Sequence, residues 1–337
     1  RNALYDIEIL KSHRFQVPII SVGNLAVGGQ GKTPHVEYLV LLLSPYYRVA
    51  VVSRGYKRNT SGFLLADKNS TAQSIGDEPY QIFSKFPKIT VAVDSNRVRA
   101  IRKLLANNLP PQVIILDDAF QHRSVRPGFS ILLSDYSSLY LYDSMLPGGR
   151  LRESKYQSKR ADIIAVTKCP EDINPLDIRI TAKLFKLLSY QSLYFSTYKY
   201  GEIQPLFNKK ADGKITLKQM KTQRFSILLT VAIANPQPII EYLKQYSEQI
   251  DSVIFADHHF FEKRDYQLIE KKFNALQSIH KIIITTEKDA TRIGSDYPKT
   301  LQNYTYLLPI EVQIINNQEQ LFIKTIKNYV AEDLRNG

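Results

Sequence analysis

The sequence predicts an α/β protein in two parts: an α/β/α sandwich on a parallel sheet, then a smaller α/β domain reached through a β-rich linker. Three observations carry this. Short apolar runs suited to buried strands alternate with segments of helical periodicity along both halves of the chain. The first strand, residues 19–22, runs into a glycine-rich turn closing on Gly31-Lys32-Thr33 at the head of a helix. A later apolar run, residues 113–116, ends in Asp117-Asp118. Strand, phosphate loop, helix and an acid-ended strand make the first part P-loop NTPase-like.

Composition bounds the answer before any motif does. A chain of 337 residues suggests about two domains, and 44% hydrophobic with 23% charged residues is ordinary for a globular protein and argues against disorder. The net charge of +13 favours anionic partners: nucleotides, phosphorylated small molecules, nucleic acid or acidic lipids. Cys169 is the single cysteine, so a disulfide framework and a cysteine zinc site are excluded, which suits a reducing compartment. No stretch of about 18 apolar residues and no signal peptide is present. Because the sequence starts at Arg1 rather than Met, a leading segment is expected to precede it.

In the phosphate loop, Ala26, Val27, Gly28, Gly29, Gln30, Gly31, Lys32 and Thr33 form the expected nucleotide-binding stretch. Glycines let successive N–H groups face phosphate oxygens, Lys32 reaches the terminal phosphates, and Thr33 offers a hydroxyl to Mg²⁺. The strict pattern asks for glycine at position 26, where this chain has alanine; alanine fits there unless φ is positive. The helix expected over residues 33–43 buries Val36, Leu39, Val40 and Leu43.

Residues 48–53 read as the next strand, and Arg54-Gly55-Tyr56-Lys57-Arg58 as a basic turn at its C-terminal end. Doubly wound sheets bind ligands at that edge, although a solvated basic loop reads equally well. Gly76-Asp77-Glu78-Pro79 places two carboxylates before a proline suited to the first position of a helix starting near Tyr80. Diverging side chains would let one acid face Mg²⁺ and the other an acceptor hydroxyl; capping chemistry explains one of them without function. Asp117 and Asp118 stand where a Walker B acid would help hold the metal. Gln121, His122 and Arg123 follow.

Residues 129–134 read as a strand, residues 146–153 as a loop carrying Arg150 and Arg152, and residues 161–167 as a strand reaching Thr167-Lys168-Cys169-Pro170. That end invites comparison with the guanine-reading Asn-Lys-x-Asp signature and fails it, because Pro170 replaces the deciding aspartate. Residues 192–207 alternate aromatic and polar side chains, as a β-rich connector would. A second α/β pattern follows: strands over 225–231, 252–255 and 281–286, with helices after Pro238 and over 265–276. Residues 304–316 read as strand, and a closing helix over 317–333 takes Asn317 as its N-cap. Two runs in this half stand out: Asp257-His258-His259, either a base or relay at a strand end or surface loop residues, and Thr286-Glu287-Lys288-Asp289, either substrate-binding or a helix cap. The expected domains are 1–195 with the phosphate loop, 196–316 as the smaller α/β part with its strand linkers, and 317–337 as a helix packing back on the first.

Taken in order, these motifs resemble the tetraacyldisaccharide 4'-kinases, the lipid A 4'-kinases of Gram-negative bacteria. The resemblance rests on Val22-Gly23-Asn24-Leu25 running into residues 27–34, on Ser53-Arg54-Gly55-Tyr56, Gly76-Asp77-Glu78-Pro79 and Asp117-Asp118-Ala119-Phe120-Gln121-His122. Leu146-Pro147-Gly148-Gly149-Arg150-Leu151-Arg152-Glu153, Asp257-His258 and Thr286-Glu287-Lys288-Asp289-Ala290 complete it. Ala119 departs from the glycine more usual there.

The resemblance implies ATP and Mg²⁺ as cofactors and transfer of the γ-phosphoryl group to the 4'-hydroxyl of a tetraacyldisaccharide 1-phosphate. It implies Asp77 as the base with His258 as its partner, and Thr33, Glu78 and Asp118 on the metal. Asn24, Arg54, Asp117, Gln121, His122 and Arg150 fall towards the substrate. A hydrophobic or amphipathic helix preceding Arg1 is implied, with peripheral attachment to the cytoplasmic face of the inner membrane; partners are a lipid A precursor and the membrane surface, with nucleic acid not expected and the oligomeric state open. Two rival classes are a partitioning or switch ATPase, whose signature lysine is Val27 here, and a nucleic-acid ATPase, suggested by the charge and by Arg97, Arg99, Arg102 and Lys103, although helical spacing spreads these cations around one helix, as a solvated face would.

Overall fold

The computed structural model describes residues 2–207, 215–257 and 259–336. The chain up to Lys199 and from Glu311 onward forms one compact unit, and Tyr200–Ile310 forms a second. After the short helix α1 (Asn2–Asp6) the first unit runs β1 (Ile19–Asn24), α2 (Lys32–Leu43), β2 (Val49–Ser53), β3 (Leu64–Leu65), α3 (Ala72–Ile75) and α4 (Asp77–Lys85). It continues with β4 (Thr90–Val93), α5 (Arg97–Leu105), β5 (Val113–Asp117), β6 (Phe129–Asp135), β7 (Ile163–Thr167), α6 (Pro175–Leu184) and β8 (Ser192–Tyr200). The second unit holds β9 (Gln204–Pro205), α7 (Leu217–Thr222), β10 (Ser226–Val231), α8 (Gln237–Leu243), β11 (Gln249–Ile254), α9 (Lys263–Ala275), β12 (Lys281–Thr286), α10 (Glu287–Ala290), α11 (Lys299–Gln302) and β13 (Thr305–Leu308). β14 (Ile310–Ile314) and α12 (Glu319–Asn336) return to the first.

The first sheet has the order β14-β8-β7-β6-β1-β5-β2-β4-β3. Its inner strands are parallel: β1 pairs with β5 and β6, β2 with β4 and β5, and β7 with β6 and β8. Successive side chains leave a strand on opposite faces. Ile20, Val22, Val51, Ile115 and Ile131 therefore meet Val36, Leu39, Val40 and Leu43 of α2 and Phe322, Ile326 and Val330 of α12. Their sequence neighbours Ile19, Ala50, Val52, Ile114 and Leu116 meet Val98, Ile101 and Leu104 of α5 on the other side. Helices on both faces are why these strands read as continuous apolar runs rather than as alternation. All the inner strands also end at one edge, so Asn24, Ser53, Asp117, Asp135 and Thr167 collect there.

The second unit repeats the logic on a smaller scale. Its sheet runs β11-β10-β12-β13-β9, with β9 antiparallel at one edge. On β10, Ile227, Leu229 and Val231 join one core and Leu228 the other.

Three local expectations are corrected. The helix expected near Tyr80 starts at Asp77, because Gly76 at φ 98° turns the chain into it and leaves both acids in the first turn, where the helix dipole favours them. Residues 304–316 are two strands in two sheets, parted at Pro309, which has no N–H to continue a ladder. Asn317 is left-handed at φ 55°, and the carbonyl of Gln318 accepts the first helical bond, from Phe322 N at 2.9 Å.

Candidate active site

The phosphate loop leaves β1 at its C-terminal end and is fixed from both sides. Ala26 lies extended in a bridge to Leu151, which is why alanine is tolerated there. Val27 N donates to Arg150 O and Arg152 N to Leu25 O, each at 2.8 Å. Gln30 Oε1 accepts from Asp135 N at 2.7 Å, and Gln30 O from Thr167 Oγ1 at 3.0 Å. Lys168, itself left-handed at φ 56°, donates to Gly29 O and pairs with Asp135 at 2.7 Å. Gly31 takes φ 86° with Tyr198 Oη 2.2 Å from where a side chain would begin, so only glycine fits this entrance to α2.

The fit of this loop to a polyphosphate follows from what is left open. No atom lies within 4 Å of the place where a side chain would start at Gly28 or Gly29, and α2 has no side-chain cap on its first N–H groups. An uncapped helix start facing free space is an anion site. His35, on the first turn, donates from Nδ1 to Gly31 O at 2.8 Å and accepts at Nε2 from Ser196 Oγ at 3.0 Å. Burial lowers its pKa to about 4, so it stays neutral and adds no charge behind the cradle.

Acids meet the loop from β5. Lys32 Nζ stands 3.7 Å from Asp118, which is also 2.9 Å from Arg152, and Asp118 is left-handed at φ 46°. Burial works against the charge on Asp118, but Lys32 and Arg152 outweigh it and hold the group below the usual carboxylate range. Asp117 is fully buried; burial first, then the charge of Asp118, pushes it up to about 6 against the pull of Lys32, Ser53 and Arg97. Its Oδ2 accepts from Ser53 Oγ at 3.0 Å, while Oδ1 is buried with no hydrogen-bond partner. Thr33 carries a hydroxyl and Asp118 a carboxylate that Lys32 and Arg152 hold ionised, oxygen donors of the kind that suits Mg²⁺. Among the described residues no group of three His, Cys, Asp or Glu side chains could hold a metal ion.

The turns after β2 and before α4 are joined by glycine contact. Gly55 and Gly76, at φ 66° and 98°, pack so closely that a Cβ on Gly76 would lie 3.0 Å from Gly55 Cα. This brings the Arg54 turn, exposed at its arginine, against the start of α4, where Asp77 is buried and accepts from Glu78 N at 3.0 Å. Glu37, buried on α2, accepts from Gln81 and Lys85 of α4, both at 2.7 Å, tying the Asp77 helix to the phosphate-loop helix. Asn24 donates to Ala26 O at 2.6 Å and accepts from Arg152; Gln121 Nε2 donates to Asn24 O at 2.7 Å. His122 is half-buried one residue further on.

The structure thus gathers residues 26–33, Asn24, Asp117, Asp118 and Gln121, and packs the turns of Arg54 and Asp77 together. Arg150 points elsewhere: it pairs with Asp143 at 2.9 Å and is half-exposed, and Arg152 is the arginine at Asp118. His258 lies outside the described residues. Its neighbour His259 stacks on Phe255 at 4.9 Å and bonds Asp265 at 2.7 Å, and Asp257 pairs with Lys288 at 3.5 Å. Thr286 caps α10, accepting from Asp289 N at 3.1 Å. Two residues that motif reading passed over, Arg152 and Lys168, hold the loop directly. The basic run on α5 is largely spent on the fold: Arg97 is buried against Asp94 O and Asp117 O, Arg99 pairs with Asp94 at 2.7 Å, and Lys103 covers Phe63.

A parallel sheet whose central strand feeds an uncapped phosphate loop, with a lysine at the helix start and acids on the adjoining strand, defines a P-loop nucleotide-binding protein. The sequence pattern of the tetraacyldisaccharide-1-P 4'-kinases matches residues 1–330. A tetraacyldisaccharide 4'-kinase of Bacteroides thetaiotaomicron is 51% identical over all of this chain and 90% of its own length; one of Flavobacterium johnsoniae is 46% identical over 99% and 93%. The fold is similar to the crystal structure of LpxK from Aquifex aeolicus in complex with ATP, with TM-score 0.73, 27% identity and coverage of 98% of this chain and 94% of that one. The chain belongs to the tetraacyldisaccharide 4'-kinase family.

Proposed function

We propose that this chain is an ATP-dependent lipid kinase that transfers the γ-phosphoryl group to the 4'-hydroxyl of a tetraacyldisaccharide 1-phosphate in lipid A biosynthesis. The observation that carries the mechanism is the convergence, at one sheet edge, of an open phosphate cradle with a lysine, buried acids and the Asp77 helix.

Residues 26–33 bind the triphosphate, with Lys32 on its terminal oxygens. Phosphate oxygens there would compete with Asp118 for Lys32, while Arg152 keeps its hold on Asp118. Thr33, Glu78 and Asp118 would hold Mg²⁺, which when bound neutralises charge on the transferring phosphoryl group. Asp77 takes the proton from the 4'-hydroxyl, with His258 as the partner the family resemblance implies, and Asn24, Arg54, Asp117, Gln121 and His122 face the sugar and its substituents. Arg152 joins this set by its bonds to Asn24 and Asp118. An aspartate with a pKa near 3.9 is a weak base, so positioning and charge stabilisation supply most of the rate. No helix among the described residues is long and apolar enough to cross a membrane. Peripheral attachment to the cytoplasmic face of the inner membrane is proposed on the family resemblance.

The test is transfer of labelled phosphate from ATP to the acylated disaccharide phosphate, with the modified hydroxyl identified. Asp77→Ala and His258→Ala should each lower kcat by at least about 10²-fold with little change in ATP affinity. Parental turnover in either variant would remove the dyad from the mechanism.

A further inference from the structure

On the first unit, on the face of the sheet that Ile164 lines, the structure holds a cavity of about 490 Å³ that the phosphoryl-transfer site does not use. Of its lining, Tyr140, Ile164 and Phe185 are buried, and Leu184, Lys155 and Lys186 are exposed. The surrounding surface is aromatic and basic. Tyr142, Tyr156 and Tyr190 are 71%, 66% and 56% exposed. Lys159 covers the Tyr156 ring at 3.9 Å and its carbonyl accepts from Tyr190 Oη, so these side chains form one continuous patch. None of Lys155, Lys159, Lys183 or Lys186 has a carboxylate partner among the described residues. Asp143 is taken by Arg150, Glu153 by Arg160, and Asp6, which feels the charge of Lys159, by Arg123.

We infer that this face docks on an anionic lipid bilayer, with a phosphate headgroup between Lys155 and Lys186 and an acyl chain in the recess below. Unpaired lysines supply charge complementarity to acidic lipid, tyrosines sit with the apolar ring inward and the hydroxyl at the headgroup level, and the buried apolar lining accepts a chain once water leaves it. The inference rests on the reading of the acceptor as a membrane lipid: an enzyme acting on a tetraacylated sugar must meet it where it is dissolved, and a bilayer is that solvent.

The experiment compares the parent with Lys155→Glu/Lys186→Glu in sedimentation with vesicles of phosphatidylcholine alone or with 30% phosphatidylglycerol (an experimental choice of roughly physiological acidity). Lys186→Glu alone is included because Lys155 also donates to Leu141 O. Expected are parental binding to the acidic vesicles only, a loss of at least about tenfold in the double variant with a smaller loss in the single one, and unchanged phosphoryl transfer to acceptor dispersed in detergent. Equal binding of parent and double variant to acidic vesicles would overturn the docking face, as would a patch whose mutation changed only self-association. Failure of the parent to phosphorylate the detergent-dispersed acceptor would instead strike the function, so the two failures are distinguishable.

Discussion

At the scale of single residues, charge and burial decide what the site can do. Asp117 titrates near pH 6 in the folded chain against about 3.9 unfolded. The folded state therefore holds that proton more tightly, and the stability it contributes is full below about pH 4 and lost as pH rises through about 6. Asp117→Asn should show the reverse of a usual active-site lesion: nearly the parental Tm at pH 4, a growing advantage from pH 5 to 7.5 worth about 2–3 kcal/mol, and impaired catalysis. Melting curves across that range check it; a constant offset would mean the buried acid is not the source. The two loop arginines make a sharper contrast. Arg152 touches Asn24 and Asp118, whereas Arg150 is held by Asp143. Arg152→Ala should lower kcat about 10²-fold and Arg150→Ala only a few-fold, measured with ATP saturating. That assignment was not legible in the sequence, because both arginines lie in one irregular loop and the partner that captures Arg150 sits seven residues away, beyond any periodicity.

At the scale of elements, the phosphate loop and β5 were legible because their chemistry is local: glycines, lysine and threonine in order, and acids at a strand end. The start of α4 was not, since proline at position 79 suggests a helix beginning at it, while a left-handed glycine three residues earlier admits both acids first. Nor was the burial of Arg97, whose helix face looked solvated until Asp94 and Asp117 offered it two carbonyls. Gly76→Ala tests the glycine contact that sets Asp77. Backbone strain at φ 98° and a Cβ only 3.0 Å from Gly55 Cα should together cost about 2–4 kcal/mol and displace the helix start, seen as a lower Tm and lower kcat. Gly28→Ala, strained at φ 106° but meeting open space, should cost about 1 kcal/mol in stability while weakening ATP.

At the scale of the whole molecule, fold class and the presence of two units were readable because helix and strand periods alternate cleanly, whereas the fate of residues 304–316, split between two sheets, depended on pairing partners far away in sequence. ATP should stabilise one unit in preference to the other. At 100 times Kd, mass action gives about 2.7 kcal/mol, so amide exchange should slow in β1, the start of α2 and β5 and remain unchanged in β10 and β12. Equal protection everywhere would place the nucleotide elsewhere. The route between the units has a further consequence. β8 and β14 are neighbours in the first sheet, with Ile315 N donating to Phe195 O at 2.9 Å, and just past their ends Gly201 N donates to Pro309 O at 2.9 Å. Topologically, Tyr200–Ile310 replaces the tip of a hairpin. Splicing that hairpin shut with a short Asn-Gly turn should leave a self-sufficient nucleotide-binding miniature that melts cooperatively and gains Tm with ATP, a graft junction across which other modules could be exchanged.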